Sequence, residues 1–134
     1  MLRLEIVTPD QKTYSDDVDS VVIPGVEGEL GVLPQHVPLM TQLLPGELRV
    51  MKNGEELRLA VGEGFVEISG DKVAVLTDMA VLESDIDETA AEEAIRRAEA
   101  AMSDNKLSDE EHATVKASLQ RSLALVRVKR RRQF

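Results

Sequence analysis

The 134-residue chain has a net charge of −9, and its 43% hydrophobic and 31% charged residues are typical of a globular protein. It contains no cysteine, which excludes disulfide bonds, thiolate metal ligands and a thiol nucleophile, and no apolar run is long enough to span a membrane. Aromatic residues make up only 2%, so the core must be aliphatic, and base stacking on single-stranded nucleic acid is disfavoured.

Up to about residue 83, apolar and polar residues alternate, which predicts short β-strands. The chain opens with such a strand rather than with the layout of a signal peptide, so we expect a cytoplasmic protein. The segments with this pattern are LRLEIV, VDSVVI, ELRVM, ELRLAV, FVEIS and KVAVLT. Turn signals separate them at Pro45-Gly46, Asn53-Gly54 and Gly70-Asp71, and Asn53-Gly54 predicts a two-residue hairpin turn. Short strands with such turns predict a small antiparallel β-sandwich or barrel.

After residue 84, apolar residues recur at steps of three and four, which predicts helices. Asp87 is the expected N-cap of the first helix. Its apolar face comprises Ala91, Ala94, Ile95, Ala98, Ala101 and Met102. Because alanine buries little apolar area, we expect the hairpin that this helix forms with the next one to be weakly held and able to move.

A second helix is predicted after the short SDNKL segment, where Ser108 and Glu111 form an S-x-x-E capping box. Its apolar positions at helical spacing are Val115, Leu119, Leu123 and Val126. The short connection makes the two helices antiparallel neighbours.

The charges are unevenly distributed along the chain. After Glu111 there is no acid, and the chain ends in a basic run that includes Lys129 to Arg132. Acids at helix N-termini and bases at the last C-terminus fit the helix dipoles. A basic end also suits a negative partner, so nucleic-acid binding by residues 127–132 is an alternative to be tested.

No motif predicts catalysis or a bound metal. Gly28 and Gly31 lack the Lys-Ser/Thr of a phosphate-binding loop, and we expect both to supply turn or bulge geometry. The only histidines, His36 and His112, lie in different halves of the chain, so no zinc site is expected. No G-x-S-x-G motif predicts a nucleophilic serine.

One long segment, EGELGVLPQHVPL (27–39), carries a family resemblance, supported by VTPD (7–10), GEGFVEI (62–68), VLTDMA (75–80) and SDID (84–87). Over nearly its whole length the chain resembles the epsilon subunits of F-type ATP synthases. The resemblance implies an α+β fold, with an N-terminal antiparallel β-sandwich (1–84) followed by a C-terminal antiparallel two-helix hairpin (85–134).

The resemblance also implies a function. It implies a non-catalytic rotor subunit of the central stalk that helps to couple proton transport to ATP synthesis. The mobile C-terminal helices would inhibit ATP hydrolysis. We expect the protein to be peripheral to the cell membrane, at its cytoplasmic face, and to contact the membrane only through the complex. The coupling ion, H⁺ or Na⁺, is left open.

Partner contacts are implied residue by residue. Glu29, His36 and Thr41 match positions that meet the c ring or the gamma subunit, with Glu29 at the ring and Thr41 beside gamma. Arg121 and Arg127 match basic positions on the second helix that approach the beta subunit when the hairpin extends toward alpha and beta. No nucleic acid is expected among the partners. The segment 27–39 is expected to be a rigid docking surface, because Pro34 and Pro38 limit its conformational freedom.

Some family members bind ATP at the folded hairpin through an I-D-x-x-R-A motif. In this chain Ala90 replaces the arginine, and Val81 and Leu125 replace two further contact residues. The matching positions that remain are Ile86, Asp87, Ala91, Arg97 and Arg121. Since a charge-assisted contact is missing, we expect at most a weak regulatory ATP site and no required cofactor. A stand-alone nucleotide-sensing module is the alternative function.

Overall fold

The computed structural model describes residues 1–10 and 13–131, in which strands come first and helices last. The strands are β1 (Leu2–Val7), β2 (Thr13–Val18), β3 (Ser20–Gly25), β4 (Gly28–Val32), β5 (His36–Leu43), β6 (Gly46–Lys52), β7 (Glu55–Val61), β8 (Gly64–Gly70), β9 (Lys72–Thr77) and β10 (Ala80–Leu82). A 3₁₀ turn (Glu83–Asp85) leads to the helices α1 (Glu88–Met102) and α2 (Asp109–Arg131). The predicted α+β fold class, a β-sandwich followed by two helices, is confirmed.

The strands form one folded sheet in the order β10-β7-β6-β3-β5-β8-β9-β1-β2, with β4 paired to β3 outside this order. β3 and β5 pair only at Gly25 and Leu43, where the sheet passes from one layer of the sandwich to the other. The pair β1–β9 is parallel, which departs from the expected antiparallel pairing. Most of the sandwich lies between these two strands in sequence, and so long a connection permits either orientation.

The core between the layers is aliphatic, as the scarcity of aromatic residues predicts. Its largest fully buried side chains are Leu2, Leu4, Ile6, Ile23, Leu43, Leu48, Ile68, Val18, Val21, Val32, Val50 and Val61. They come from both layers and follow the alternation of the strands.

The turn chemistry is confirmed where the sequence signal is strongest. Asn53 and Gly54 both have positive φ, at 52° and 79°, as the predicted hairpin turn requires. Gly28, with φ 115°, is the first residue of β4 and directly follows the turn between β3 and β4. The expectation of turn or bulge geometry is wrong for Gly31, which pairs regularly with Val22 inside β4.

Two strand predictions need correction. VDSVVI is not one strand, because Asp19 separates β2 from β3 and directs its carboxylate to the backbone N–H of Asn53, at 2.9 Å. β4 and β5 were not predicted, since the Gly and Pro residues of 27–39 hide their pattern. In β5, most positions between His36 and Leu43 are exposed, so alternating burial is also weak there.

The helix caps are confirmed. The Asp87 side chain accepts a hydrogen bond from the backbone N–H of Ala90 at 3.1 Å. Ser108 and Glu111 form the predicted capping box, with hydrogen bonds of 3.1 and 3.3 Å. The C-terminal end of α2 contacts the N-terminal end of α1, so the helices are antiparallel.

In this structure the hairpin is folded against the sandwich. Val128 of α2, Ala60 of β7 and Ile86 form a second buried cluster, joined by Met79, Val81 and Leu125. The predicted buried stripe of α2 is wrong at Leu123, which is exposed. α2 packs against both α1 and the sheet, so its buried positions (Ser122, Ala124, Val126 and Val128) do not form a single stripe. Among the described residues, no helix is both long and apolar enough to cross a bilayer.

Candidate functional site

The described residues include no group of three or more His, Cys, Asp or Glu side chains arranged to hold a metal ion. Three surfaces of the described residues are the candidate sites. One is the end of the sandwich at which Glu29 lies, a second is the outer face of the β5-β8-β9-β1 layer, and the third is the interface between α2 and the sandwich.

Glu29 lies on β4 with 57% of its side chain exposed, and it is held by an arginine from another strand. Nη1 of Arg49, on β6, donates to Glu29 Oε2 at 2.8 Å and to Glu47 Oε1 at 3.2 Å. Arg49 is 19% exposed and Glu47 only 8%. Burial opposes the charged form of Arg49, but the hydrogen bonds to Glu29 and Glu47 outweigh it and raise the pKa of the guanidinium.

The other two predicted contact residues lie on β5. Thr41 is half-buried opposite Val66, toward the end of the strand that is adjacent to the β3–β4 turn. His36 lies at the opposite end, paired with Gly70, and its Nδ1 is 2.7 Å from the carbonyl oxygen of Val37. Glu29, Thr41 and His36 therefore span the length of the sandwich rather than converge on one point.

Sequence reasoning missed an apolar row on the outer face of this layer. Phe65 pairs with Leu76, and Leu76 pairs with Val7, so the three side chains are cross-strand neighbours. They are 59%, 52% and 43% exposed, and Met40 is exposed on the same face. The sequence did contain a signal for this row. Each of the three residues stands at a position of its strand where the alternation predicts an outward-facing polar residue, yet it is apolar. A continuous exposed apolar row marks an interaction site.

The row and Glu29 lie at the same end of the sandwich. Gln42 pairs with Phe65 at the end of the row, and its carbonyl oxygen accepts a hydrogen bond from Val26 in the β3–β4 turn. That turn leads directly into β4 and Glu29. The row and Glu29 are thus close to one end of the sandwich but lie on the outer faces of different layers, since Glu29 contacts Arg49 of β6.

Ion pairs connect α2 to the sandwich and to α1. Arg121 Nη1 lies 3.1 Å from Asp78 Oδ2, and both side chains are about one-third exposed. Lys129 Nζ donates to the carbonyl oxygen of Glu83 at 3.2 Å. Arg130 pairs with Glu88 and Glu92 of α1.

Gly62 provides the space for the Asp78–Arg121 pair. A Cβ atom at Gly62 would lie 1.8 Å from Asp78 Oδ1 and 3.5 Å from Arg121 Cγ. Real Cβ atoms do not approach so closely, so any side chain here would displace the carboxylate.

Arg127, the other predicted inhibitory contact, is an exposed residue of α2 at the edge of the sandwich. It lines a cavity of about 320 Å³ together with Glu29, Glu47 and the β5–β6 turn. The two arginines of α2 that sequence reasoning selected thus face different parts of the sandwich.

The residues of the predicted weak ATP site have structural roles in the folded hairpin. Ile86 and Ala91 are buried, Asp87 caps α1, and Arg121 pairs with Asp78. Arg97 is exposed on α1.

The basic run proposed as an alternative nucleic-acid site is partly engaged in the same way. Lys129 contacts Glu83 of the 3₁₀ turn, and Arg130 contacts Glu88 of α1. Arg132 lies outside the described residues.

Two family models match consecutive parts of the chain. Residues 1–83 match the model described as "ATP synthase, Delta/Epsilon chain, beta-sandwich domain". Residues 84–130 match "ATP synthase, Delta/Epsilon chain, long alpha-helix domain".

Curated relatives match over nearly the whole chain. An ATP synthase epsilon chain of Dehalococcoides mccartyi is 43% identical over 132 residues, covering 98% of this chain and 94% of the relative. That of Herpetosiphon aurantiacus is 42% identical over 135 residues, covering 98% of each.

Among solved structures, a chain of the Euglena gracilis mitochondrial ATP synthase matches with a TM-score of 0.72 and 24% identity, covering 92% of this chain and 78% of that chain. A chain of the Tetrahymena thermophila central stalk and c ring matches with a TM-score of 0.61 and 13% identity, covering 96% of both. At these identities the two structures support the fold alone.

Proposed function

The chain belongs to the family of ATP synthase delta/epsilon chains, which are non-catalytic accessory subunits, and from this membership we propose that it is a rotor subunit of the central stalk. In this role it helps to couple ion transport across the membrane to ATP synthesis, and its C-terminal helices inhibit ATP hydrolysis. It acts at the cytoplasmic face of the membrane, with membrane contact only through the complex.

The observation that carries the proposal is the apolar row of Val7, Leu76 and Phe65. It lies on the solvent face of the sheet, where an isolated apolar side chain is common but a row across three paired strands is not. We assign this row to the contact with the gamma subunit. Thr41 lies on the neighbouring strand β5, on the face of its buried partner Val66 rather than in the row. Glu29, at the same end of the sandwich, is then placed toward the c ring.

The hairpin has the properties of a mobile inhibitory element. Its contact with the sandwich consists of a small apolar cluster around Val128 and ion pairs such as Arg121–Asp78, which remain partly exposed. Exposed ion pairs contribute only about 0–1 kcal/mol each. Two states that differ by a few kcal/mol can be exchanged by a partner with different affinity for each. In the extended state Arg121 and Arg127 become free to meet the alpha and beta subunits.

Substitution of the row tests the docking proposal. Phe65→Ser combined with Leu76→Ser should weaken co-purification with the gamma subunit, because both side chains lose apolar contact area. Leu57→Ser is the matched control, since Leu57 is also an exposed apolar strand residue but lies on β7 in the other layer. Equal retention of gamma by the double variant and by the control would contradict the assignment.

The inhibitory role is tested in the assembled enzyme. Complexes with the full chain and with a chain that ends after residue 87 should contain the same amount of gamma, while the truncated form hydrolyses ATP faster. Equal hydrolysis by two complexes of equal composition would exclude inhibition by the helices.

A further inference from the structure

The guanidinium of Arg49 connects an exposed acid to a buried one. The same nitrogen, Nη1, donates to Glu29, which faces solvent, and to Glu47, which is almost fully buried. Glu29 is 20 residues from Arg49 in sequence, so this contact exists only because β4 and β6 both pair with β3. Neither Arg49 nor Glu47 belongs to the motif that singles out Glu29.

Arg49 is itself held in place. Glu47 and Arg49 lie two positions apart on β6 and therefore share the outer face of the strand. α2 contacts β6 and β7 on this side, and Ala60, the cross-strand partner of Glu47, is fully buried beneath it. A charge-assisted hydrogen bond within such a half-buried group is stronger and more directional than an exposed one.

An exposed glutamate normally populates several rotamers, and the loss of this freedom opposes binding. The contact with Arg49 restricts the Glu29 side chain before any partner arrives. Only one oxygen, Oε2, is used in the 2.8 Å contact, and more than half of the side chain remains exposed. The other oxygen stays available to a hydrogen-bond donor or a basic group on the partner.

We propose that Arg49 is a positioning residue that fixes the Glu29 carboxylate for its partner, with Glu47 as the buried acid that holds the guanidinium. This inference rests on the proposed contact of Glu29 with the c ring. It adds that the affinity of this contact depends on two side chains that do not touch the ring. Glu47 lies beneath α2 and lines the same cavity as Arg127. The folded hairpin therefore covers the acid that holds Arg49.

The test is an equilibrium titration of the chain onto a complex of gamma subunit and c ring from which this subunit has been removed. Because the chain has no cysteine, one cysteine introduced at Asn105, in the connection between the helices, can carry a fluorescent label. Glu29→Gln should lower the affinity about two- to fivefold, as expected for a partly exposed charged contact. Arg49→Met should lower it by a similar factor.

The combination of the two substitutions is decisive. If Arg49 acts through Glu29, Arg49→Met has no further effect in the Glu29→Gln background. A merely structural role of Arg49 would lower the affinity by the same factor in both backgrounds, and that result would overturn the inference. Arg58→Met is the control, because Arg58 is the cross-strand neighbour of Arg49 but lies near Glu56, at 3.8 Å. It should bind like the unmodified chain.

Arg49→Met leaves the buried Glu47 carboxylate without its guanidinium, which can lower stability. The variant Arg49→Met/Glu47→Gln removes both charges and should show the same non-additivity with Glu29→Gln. Thermal unfolding of each isolated variant shows that the chain is folded. If the unmodified chain does not bind the gamma–ring complex, the proposed function fails. If it binds and Arg49→Met binds equally well, only the positioning role fails.

Discussion

Gly62→Ala should release the hairpin while leaving the sandwich intact. The added Cβ would lie 1.8 Å from Asp78 Oδ1 and 2.9 Å from its Cγ, so the Asp78 side chain must rotate away. Gly62 is not among the glycines with positive φ, so alanine is compatible with the backbone at this position. The steric conflict therefore falls on the ion pair between Asp78 and Arg121 rather than on the fold.

The expected effect on docking of the hairpin is about 1 kcal/mol. Loss of the partly exposed Arg121–Asp78 pair costs up to about 1 kcal/mol. The displaced Asp78 rotamer does not add to this figure, because Gly62 and Asp78 both lie outside the hairpin and the rotamer is the same in the docked and undocked states. A change of about 1 kcal/mol raises the population of undocked hairpin about fivefold. Global stability should change less, because a glycine-to-alanine change also restricts the unfolded chain, by about 0.4–1 kcal/mol.

Native-state hydrogen exchange measures this population directly, since amides of α2 exchange through local opening. Gly62→Ala should speed exchange in α2 about fivefold without changing exchange in β1 or β9. Asp78→Asn should have a similar effect, and the two substitutions together should not add, because both remove the same ion pair.

Gly31→Ala is the matched control, because a Cβ at Gly31 meets nothing within 4 Å and its φ is not positive. Unchanged exchange in α2 of the Gly62→Ala variant, or an equal increase in the Gly31→Ala variant, would refute the reasoning. In the assembled enzyme, faster undocking should lower ATP hydrolysis if the extended hairpin inhibits.

Three further predictions concern other parts of the chain. Val128→Ala removes two methyl groups from a fully buried side chain between α2 and the sheet, so it should weaken docking of the hairpin by about 1–3 kcal/mol. Amide hydrogen exchange should become faster in α2 but not in the sandwich, and an equal increase in both would contradict this. The hydrogen bond from Lys52 lowers the pKa of Asp16 below its ordinary value of 3.8, so the pair stabilises the fold above about pH 4. This contribution is lost as the pH falls through the folded-state pKa of Asp16. Urea unfolding should therefore show a stability difference between the unmodified chain and Lys52→Met that is constant near neutral pH and shrinks in acid; a difference that persists at pH 2 would argue against the pair. Calorimetric titration with ATP should give no sub-millimolar binding, since Ala90 replaces the motif arginine; sub-millimolar binding that Arg97→Ala abolishes would instead support nucleotide sensing.

The elements that could be predicted from the sequence are those specified by neighbouring residues. Asn53-Gly54 has few alternatives to a tight hairpin turn, and its two positive φ angles agree with this. The Asp87 cap and the Ser108–Glu111 box are contacts over three residues, so they are visible in the printed chain. Leu123 was placed wrongly because a helix that packs against both another helix and a sheet does not follow a single stripe.

The sequence alone determined an aliphatic, alternating β half, a capped helical half and, through the segment 27–39, the family that the chain resembles. Only the tertiary structure decided which outward apolar residues become neighbours, as Val7, Leu76 and Phe65 do, and which acids share the guanidinium of Arg49. It also decided that Gly62 must lack a side chain so that Asp78 can reach Arg121. The physical reason is that propensity, turns and caps act over a few residues, whereas strand register and the placement of α2 join positions that lie tens of residues apart.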